Sequence, residues 1–383
     1  MNRRLMLRMG LGAAALLAIL GGAWILSLPP APAARAMPPI TQEEAAATVA
    51  ALRPPKRQRP LIAIVGINQA TEVTDYLMPY GILRRADVAD VVALATEPGP
   101  VTLYPALKVI PDMTVADFDA RHAEGADYVI VPQMSRDDDP AVLQWIRHQA
   151  AKGAIIVGVC AGARIVAAAG LLDGKRATTH WYYLDELRRK HPAIRYVADR
   201  RLVVDRGVAT TTGITASMPM MLTLIEAIAG WPKAEAVAGD LGLPRWDARH
   251  DSAAFRFTRP FALTALGNTL AFWNHEELGL ELRPGLDEVS LALVADAWSR
   301  TFRSHTVTFA GSSDGVATRS GIHIIPDQVA TDWPAEHLVP VAAGLPPAQA
   351  LDHALQGIAF RYRERTADLV AMQLEYPRQA APQ

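Results

Sequence analysis

The chain has 383 residues, of which half are hydrophobic and a fifth are charged, and its 38 basic and 39 acidic residues give a net charge of −1. This length favours two globular units, and this composition excludes a disordered chain. The near-neutral charge gives no support to a nucleic-acid or polyanionic partner. A single cysteine excludes an internal disulfide, so cysteine usage does not indicate a compartment.

The N-terminus carries an apolar stretch, from Met9 to Leu28, that contains no charged residue. Its length matches a membrane-spanning helix and exceeds the usual apolar region of a signal peptide. Three arginines precede it and only Arg35 follows within the next fifteen residues, which predicts a cytoplasmic N-terminus. We therefore predict residues 1–28 to be an inner-membrane anchor, with the globular part in the periplasm or outside the cell. Small-x-small patterns at 31–33 and 34–36 leave open a cleaved signal and secretion.

Residues 29–60 are rich in proline and alanine and predict a linker between the membrane and a globular domain. Strand-like and helix-like segments then alternate as far as residue 230, which predicts an α/β layered domain over 61–230. The strand-like segments include two short apolar runs of the kind that is buried in parallel sheets, "LIAIVG" from residue 61 and "AIIVGV" from residue 154. The last helix-like segment of the domain ends at Gly230.

Residues 231–383 form a C-terminal region that includes a degenerate partial repeat of the first domain. A Glu-Val pair occurs at 72–73 and again at 288–289, and an Ile-Pro-Asp triplet occurs at 110–112 and again at 325–327. The two copies place these motifs at nearly the same spacing, but few other residues are identical. The second copy has no counterpart of the cysteine segment, so we predict a truncated α/β unit without a reactive site.

The single cysteine, Cys160, lies between Gly158 and Gly162 in "VGVCAGARIV", after a strand-like run and before a helix-like one. A strand, a Gly-x-Cys-x-Gly turn and a helix are the layout of a nucleophile elbow. The glycines permit the sharp turn, and the start of the following helix favours a thiolate. Backbone amides after the nucleophile, beginning with Ala161, are candidates to stabilise an oxyanion. The alternative is a buried, inert cysteine in a core.

The elbow, "GLLDGKRATTHW" and "RGVATTTGITASMPMMLTLIEAIAG" together resemble the ThiJ/PfpI superfamily, which has the class I glutamine-amidotransferase-like fold. The pattern is most similar to isonitrile hydratases and to the sensor domains of AraC-type regulators, and it covers about residues 61–230. The resemblance implies a flavodoxin-like three-layer sandwich, with helices on both sides of a mainly parallel sheet. The predicted fold is therefore this sandwich plus a second, degenerate α/β unit.

The resemblance also implies roles for three side chains. Cys160 matches the nucleophile or oxidation-sensitive thiol of the family. Asp75, four residues before Pro79, matches the acid that hydrogen-bonds the cysteine, whereas the residues alone would suggest a helix cap or a surface charge. His180 in "ATTHW" matches a histidine near the pocket, and a structural histidine is an equal alternative.

The chain departs from the family pattern in two places. Family members usually carry Pro-Gly-Gly after the third strand, where a backbone amide contributes to the oxyanion hole, whereas this chain has Pro132-Gln133-Met134. We expect the Gln133 amide in that role, although larger side chains here put turnover in doubt. A later His-x-Glu dyad, which glutamine amidotransferases need, is lacking because residues 191–193 read His-Pro-Ala, and glutamine hydrolysis is not expected.

Two acidic and histidine-containing loops are weak candidates for a metal site, one at residues 247–251 and one at 275–277. Neither has a ligand spacing that fixes a coordination geometry, so we predict no metal and no cofactor.

Three functional hypotheses follow from these residues. The first is a cysteine-dependent hydratase or hydrolase of a small carbonyl-like or isonitrile-like substrate, in which Cys160 attacks and Asp75 transfers protons. The second is a non-catalytic ligand or redox sensor in which Cys160 is read and not turned over. The third is a regulator-type sensor domain without a DNA-binding part. The expected partners are a small molecule and the membrane but no nucleic acid, and a homodimer remains open.

Overall fold

The computed structural model describes residues 12, 16, 19–32, 35–339, 341 and 344–378. Much of the predicted anchor, and the positively charged residues before it, lie outside this range; residues 19–27 are helical. Among the residues described, no helix has both the length and the apolar character needed to cross a bilayer.

Four sheets are built from seventeen strands between residues 61 and 329. The strands, in chain order, are β1 (Leu61–Gly66), β2 (Gln69–Glu72), β3 (Asp90–Ala95), β4 (Val101–Tyr104), β5 (Lys108–Ile110), β6 (Met113–Thr114), β7 (Tyr128–Val131), β8 (Ile155–Gly158), β9 (Arg176–Ala177), β10 (Arg195–Tyr196), β11 (Leu202–Asp205), β12 (Val208–Thr211), β13 (Glu276–Glu281), β14 (Ser304–Ala310), β15 (Val316–Ala317), β16 (His323–Ile324) and β17 (Gln328–Val329). The largest sheet has the order β11-β12-β8-β7-β1-β3-β6. All of its pairings except β11–β12 are parallel.

The helices from residue 42 onward, in chain order, are α1 (Gln42–Ala51), α2 (Val73–Ala86), α3 (Val115–Arg121), α4 (Pro140–Ala151), α5 (Gly162–Ala168), α6 (Leu184–Lys190), α7 (Ser217–Ala229), α8 (Trp231–Leu241), α9 (Arg259–Leu270), α10 (Glu288–Ser299), α11 (Pro347–Tyr362) and α12 (Glu364–Gln373).

The largest sheet is covered on both faces because its central strands are apolar throughout. Along β1, Ile62 and Ile64 belong to one hydrophobic cluster, and the alternate residues Ala63 and Val65 belong to another. Side chains of α2 and α7 join the first cluster, and side chains of α3, α4 and α5 join the second. Successive strand residues point to opposite faces of a sheet, so the clusters are two separate layers of packing. The predicted three-layer sandwich with a mainly parallel sheet is confirmed.

The C-terminal region contains a second β-α-β unit with the same order of elements. Strands β13 and β14 are parallel and flank α10, as β1 and β3 flank α2. A short antiparallel pair follows in each unit, and then a strand that pairs in parallel with β3 or with β14. The backbone amide of Ala93 donates to the Asp112 carboxylate, and the amide of Thr308 donates to that of Asp327, each across 19 residues of chain. The Ile-Pro-Asp triplets are therefore structurally equivalent, and the predicted degenerate α/β unit is present.

The two units pair through their short strands in a nearly symmetric way. Strand β5 is antiparallel to β16, and the register pairs Val109 with Ile324 and Ile110 with His323. Because each Ile-Pro-Asp triplet begins directly after Val109 or Ile324, these two residues are equivalent and lie opposite each other. A pseudo-twofold axis therefore passes between them, and one five-stranded sheet extends through both units.

The helices of the two units also pack side by side across this axis. A guanidinium near the end of α2 pairs with an acid at the start of α10, Arg85 with Asp287, and Arg300 after α10 pairs with Glu72 before α2. Side chains of both helices belong to one hydrophobic cluster. The chain therefore holds two copies of one unit together as a dimer would. The domain boundary between residues 230 and 231 stays a prediction.

The close approach of α2 and α10 makes Gly81 a test of this packing. A Cβ at Gly81 would lie 2.4 Å from Oε1 of Glu288 and 2.7 Å from Cγ2 of Val289. We expect Gly81→Ala to lower the free energy of unfolding by about 1–3 kcal/mol, because the helices must separate. The matched control is Gly239→Ala in α8, where a Cβ meets nothing within 4 Å and the change should raise stability by about 0.4–1 kcal/mol. Urea unfolding measures both; equal effects of the two substitutions would contradict this packing.

Candidate active site

The predicted elbow is present, and two close contacts explain its glycines. Cys160 has a φ of 56°, which few residues other than glycine adopt, and it lies between β8 and α5. A Cβ on Gly162 would lie 2.0 Å from the carbonyl oxygen of Val131, and one on Gly158 would lie 3.0 Å from the Ala163 nitrogen. Only glycine allows β7, β8 and α5 to approach so closely.

The backbone of the elbow is fixed by two threonines. The Cys160 amide donates to Oγ1 of Thr211 at 2.8 Å, and the Thr179 hydroxyl donates to the Cys160 carbonyl at 3.2 Å. These bonds tie the turn to β12 and to the segment after β9. They help to hold the cysteine in its strained conformation.

The Cys160 thiol is more buried than the sequence suggested, with 4% of the residue exposed. Burial raises the pKa of the thiol well above its usual range, and the carboxyl groups of Asp75, Glu72 and Glu375 raise it further. The Ala161 amide, the predicted oxyanion donor, lies at the sulfur and lowers the pKa to a smaller extent. The expectation of a thiolate near neutral pH was therefore wrong in direction, because burial outweighs the effect of the short helix α5.

Asp75 lies in the first turn of α2 and is completely buried. Its Oδ2 accepts a hydrogen bond of 3.0 Å from the Gln133 amide, and its Oδ1 has no hydrogen-bond partner within the described part of the chain. The hydrogen bond from Asp75 to Cys160 that the family resemblance implied is therefore not formed, because Asp75 is held by the backbone after β7. Burial raises the pKa of Asp75 well above its usual range, and the neighbouring carboxyl of Glu72 raises it further. Both effects favour the protonated, neutral form of Asp75, and Oδ1, which has no partner among the described residues, is the oxygen available to hold the proton.

The Gln133 amide differs from its predicted role. It donates to Asp75, and the Gln133 carbonyl accepts from the Glu72 amide at 2.8 Å, so both backbone groups hold the acidic side of the site. Stabilising an oxyanion would require this amide to leave Asp75. Of the two predicted donors, only the Ala161 amide lies at the sulfur.

A buried ion-pair cluster that the sequence analysis missed lies beside Asp75. The Arg300 guanidinium contacts Oε1 of Glu72 at 2.9 Å and Oδ1 of Asp296 at 2.5 Å. Burial also raises the pKa of Asp296 well above its usual range. Three buried carboxyl groups therefore share a single guanidinium, and Asp75 is the one that Arg300 does not contact.

His180 is held by hydrogen bonds at both ring nitrogens. Nε2 lies 2.9 Å from the Gln373 carbonyl and therefore donates to it, and Nδ1 accepts from the Tyr182 amide at 3.1 Å. Burial lowers the pKa of His180, so the ring is neutral and has one fixed tautomer. This geometry favours the structural alternative for His180 over a proton-transfer role.

The C-terminal segment braces the same region. The buried carboxylate of Glu375 accepts from the Trp181 amide at 2.7 Å and from the Gly213 amide at 2.8 Å. A Cβ on Gly213 would lie 2.5 Å from Cβ of Glu375, so the two segments pack without space between them. The C-terminal region therefore fixes the position of residues 180–181 beside the cysteine.

A cavity of about 530 Å³ opens beside Cys160 and is not filled by Gln133 or Met134, which lie in its wall. Seven of its twenty lining residues are aromatic, and the wall includes residues from both units of the chain. The aromatic lining residues are Tyr104, Trp181, Tyr182, Tyr183, Phe257, Phe261 and Phe302. Glu72, Arg164 and Arg300 add charge to the lining. The cavity is large enough for a small, mainly apolar molecule in contact with the thiol.

The two weak metal candidates have other partners. His250 stacks on Phe255 and lies 3.4 Å from Glu375, and Asp251 pairs with Arg35. His275 contacts the Asn268 carbonyl at 3.1 Å. Within the described ranges, no group of three or more histidine, cysteine or acidic side chains is placed to hold a metal ion.

Glu72 and Arg300 were not predicted as site residues from the sequence, although Glu72 could have been. It stands three residues before Asp75, so both acids begin the same helix and face the same site. Arg300 gave no such signal, because it follows the helix of the degenerate copy. Only the pairing of the two units brings it to the cysteine.

Asp75→Asn should change how stability depends on pH. In the wild type, the native state holds a proton on Asp75 that the unfolded chain has lost once the pH exceeds the ordinary carboxyl pKa of about 4. This group therefore makes the native state less stable as pH rises from about 4 toward the raised native pKa, with a slope of up to about 1.4 kcal/mol per pH unit. The neutral amide removes this slope, so the variant should gain stability relative to the wild type as pH rises.

Urea unfolding of both proteins at several pH values between 4 and 8 measures this difference. Asp117→Asn is the control, because the carboxyl of Asp117 is exposed at the start of α3 and its pKa is lowered by the Thr114 hydroxyl. A constant difference between Asp75→Asn and the wild type across this range would show that Asp75 is ionised in the native state.

Comparison with known proteins agrees with this geometry. Residues 62–227 match the model of the DJ-1/PfpI family. Over 168 residues, the chain is 33% identical to an isonitrile hydratase of Pseudomonas putida, an alignment that covers 43% of this chain and 70% of that protein. Over 112 residues, it is 36% identical to the HTH-type transcriptional regulator CdhR of Pseudomonas aeruginosa, covering 29% of this chain and 33% of the regulator.

Solved structures also show similarity to part of the chain. A ThiJ/PfpI family protein from Pseudomonas syringae has 24% identity and a TM-score of 0.44, and the match covers 55% of this chain and 83% of that one. The residues that match the family model include the elbow around Cys160. The chain belongs to the DJ-1/PfpI family.

Proposed function

We propose that the protein is a cysteine-dependent hydratase or hydrolase of a small, uncharged, mainly apolar substrate with an isonitrile-like or carbonyl-like carbon. The observation that carries this proposal is a completely buried acid, Asp75, close to a thiol that opens onto a cavity with several aromatic side chains in its wall. The similarity to an isonitrile hydratase supports the same reaction class.

The residues suggest a balanced reaction for an isonitrile. The Cys160 sulfur attacks the terminal carbon while Asp75 gives its Oδ1 proton to that carbon and receives the thiol proton, which forms a thioimidate. Water then adds its oxygen to the carbon and a proton to the nitrogen. The carbon–sulfur bond breaks, the thiol regains a proton, and an N-substituted formamide leaves. The raised pKa of the thiol is consistent with a proton that moves only when the substrate is bound.

Several groups around the cavity have a role in this proposal. The Ala161 amide stabilises negative charge near the sulfur, and Arg300 keeps Glu72 and Asp296 paired so that Asp75 holds its proton. Trp181, Phe257 and Phe261 supply an apolar wall that excludes bulk water.

Turnover of a small alkyl isonitrile by the purified full chain tests this function, with the formamide detected by NMR. Cys160→Ser should abolish turnover, and Asp75→Asn should lower kcat by about 10²–10⁴, the usual contribution of a positioned acid. Asp112→Asn is the control, because Asp112 also accepts a backbone amide, but that amide belongs to Ala93 of β3, away from the cavity, whereas the one that Asp75 accepts belongs to Gln133 in the cavity wall. Equal turnover in all variants would contradict the proposal.

A non-catalytic sensor is the second candidate, and the engaged Gln133 amide favours it. Loss of one oxyanion donor typically lowers kcat by about 10²–10³, so a site with one free donor favours binding over turnover. The similarity to one segment of a transcriptional regulator supports a regulator-type sensor domain as a variant of this candidate. In either form, a ligand would protect Cys160 from alkylation and no product would appear.

We also propose that the uncharged stretch up to Leu28 holds the protein at the inner membrane, with the globular part in the periplasm or outside. The arginines before this stretch support this orientation. Alkaline phosphatase fused after residue 383 should be active, and β-galactosidase fused there should be inactive. Activity of only the cytoplasmic reporter would contradict the orientation, whereas active protein released from membranes would indicate secretion after cleavage.

A further inference from the structure

The helix α9 and the turn after it form an exposed apolar surface. The fifteen residues from Pro260 to Asn274 include no charged side chain, although a fifth of the chain is charged. The large exposed apolar side chains of this segment are Leu263, Leu266, Leu270, Phe272 and Trp273. Phe272 and Trp273 are 71% and 70% exposed. We call these five side chains the α9 face. A surface helix of a globular protein normally carries polar side chains on its outer side.

Basic side chains border the α9 face on one side. Four arginines, namely Arg303, Arg361, Arg363 and Arg365, line a polar cavity of about 410 Å³ together with Leu263 and Gly267 of α9. The Arg303 Nε also donates to the Asn274 carbonyl at 3.3 Å, directly after Trp273. Arg361 is paired with Glu276 at 2.5 Å. The rest of this border therefore presents positive charge next to the apolar side chains.

The N-terminal apolar segment reaches the start of the same helix. The Arg259 guanidinium donates to the Leu26 and Leu28 carbonyls at 2.6 and 3.2 Å, and the Arg259 amide donates to the Pro29 carbonyl at 2.9 Å. The Trp24 ring lies 5.7 Å from the Phe257 ring. A bilayer that holds the N-terminal segment would therefore lie next to the start of α9.

We propose that the α9 face lies in the interfacial layer of a lipid bilayer that contains anionic lipids. An interfacial helix combines leucine and aromatic side chains on one side with arginines that reach the headgroups, and tryptophan is favoured at the membrane interface. The arginine border supplies the charge that anionic headgroups attract. This proposal rests on the proposed membrane attachment of the N-terminal segment and adds a second contact to it.

The inner side of α9 lies on the cysteine cavity. Phe261 and Ala265 of this helix line that cavity, while Leu266 and Leu270 point away from the protein. One helix therefore separates the Cys160 site from the proposed lipid surface.

Depth-dependent quenching in the full chain tests the proposal. In a Cys160→Ser background, Leu266→Cys is labelled with an environment-sensitive fluorophore. Glu124→Cys, on an exposed turn between α3 and β7, is the matched control. Both are reconstituted into phosphatidylcholine vesicles with phosphatidylglycerol and with lipids brominated on the acyl chains. Because an interfacial helix lies about 5–10 Å into the headgroup boundary, bromine should quench the label at 266 at least roughly threefold more than the label at 124.

A second variant tests the role of the arginine border. Arg363→Gln with Arg365→Gln should reduce the quenching at 266 and make it independent of the phosphatidylglycerol content. Vesicle flotation reports separately whether the chain is attached. Attached protein with equal quenching at 266 and 124 overturns the proposal and leaves the anchor intact. Protein that does not float overturns both. Cross-linking through position 266 to a second copy would also overturn it, because the face would then be a protein contact.

Discussion

The structure depends on an unequal count of buried charges beside the cysteine. Glu72, Asp75 and Asp296 place three carboxyl groups in a region from which water is largely removed, and among the described residues Arg300 is the only cation that pairs with any of them. Ionising all three would leave uncompensated charge in a low-dielectric interior, which costs several kcal/mol for each ion. Arg300 contacts two of the acids, so the third, Asp75, keeps its proton. The protonation of the site is thus set by packing and not by the local sequence of the elbow.

The guanidinium that sets this balance comes from the degenerate unit. The units pair about a pseudo-twofold axis through β5 and β16, which brings the end of α10 to the start of α2. The second unit therefore contributes to the site although it lacks an elbow of its own. It supplies Arg300, Phe302 and part of the aromatic wall of the cavity, and the C-terminal segment then fixes His180 and Trp181. Cys160 and Asp75 come from one copy, but the chemistry around them needs both.

The sequence allowed the sandwich, the elbow and the second unit to be predicted because each has a local pattern. Apolar runs predict buried strands, paired glycines predict a sharp turn, and the Ile-Pro-Asp triplets keep their spacing. The protonation of the thiol and the use of the Gln133 amide could not be predicted, since both depend on which groups pack against the elbow. Arg300 also lay beyond sequence reasoning, because a pairing across more than 200 residues of chain joins it to Glu72. Local patterns indicated where the site is, and long-range packing determined its charge.

The protonation of Asp75 at neutral pH is the central claim, and infrared spectroscopy measures it directly. The wild type and Asp75→Asn are compared at pH 7 in the spectral region where the C=O stretch of a protonated carboxylic acid absorbs. This region is separate from the carboxylate bands. We expect a protonated-acid band in the wild type that disappears in Asp75→Asn, with the remaining bands unchanged. A difference spectrum that shows only the loss of a carboxylate band would mean that Asp75 is ionised, and the proposed proton transfer to the substrate would be wrong.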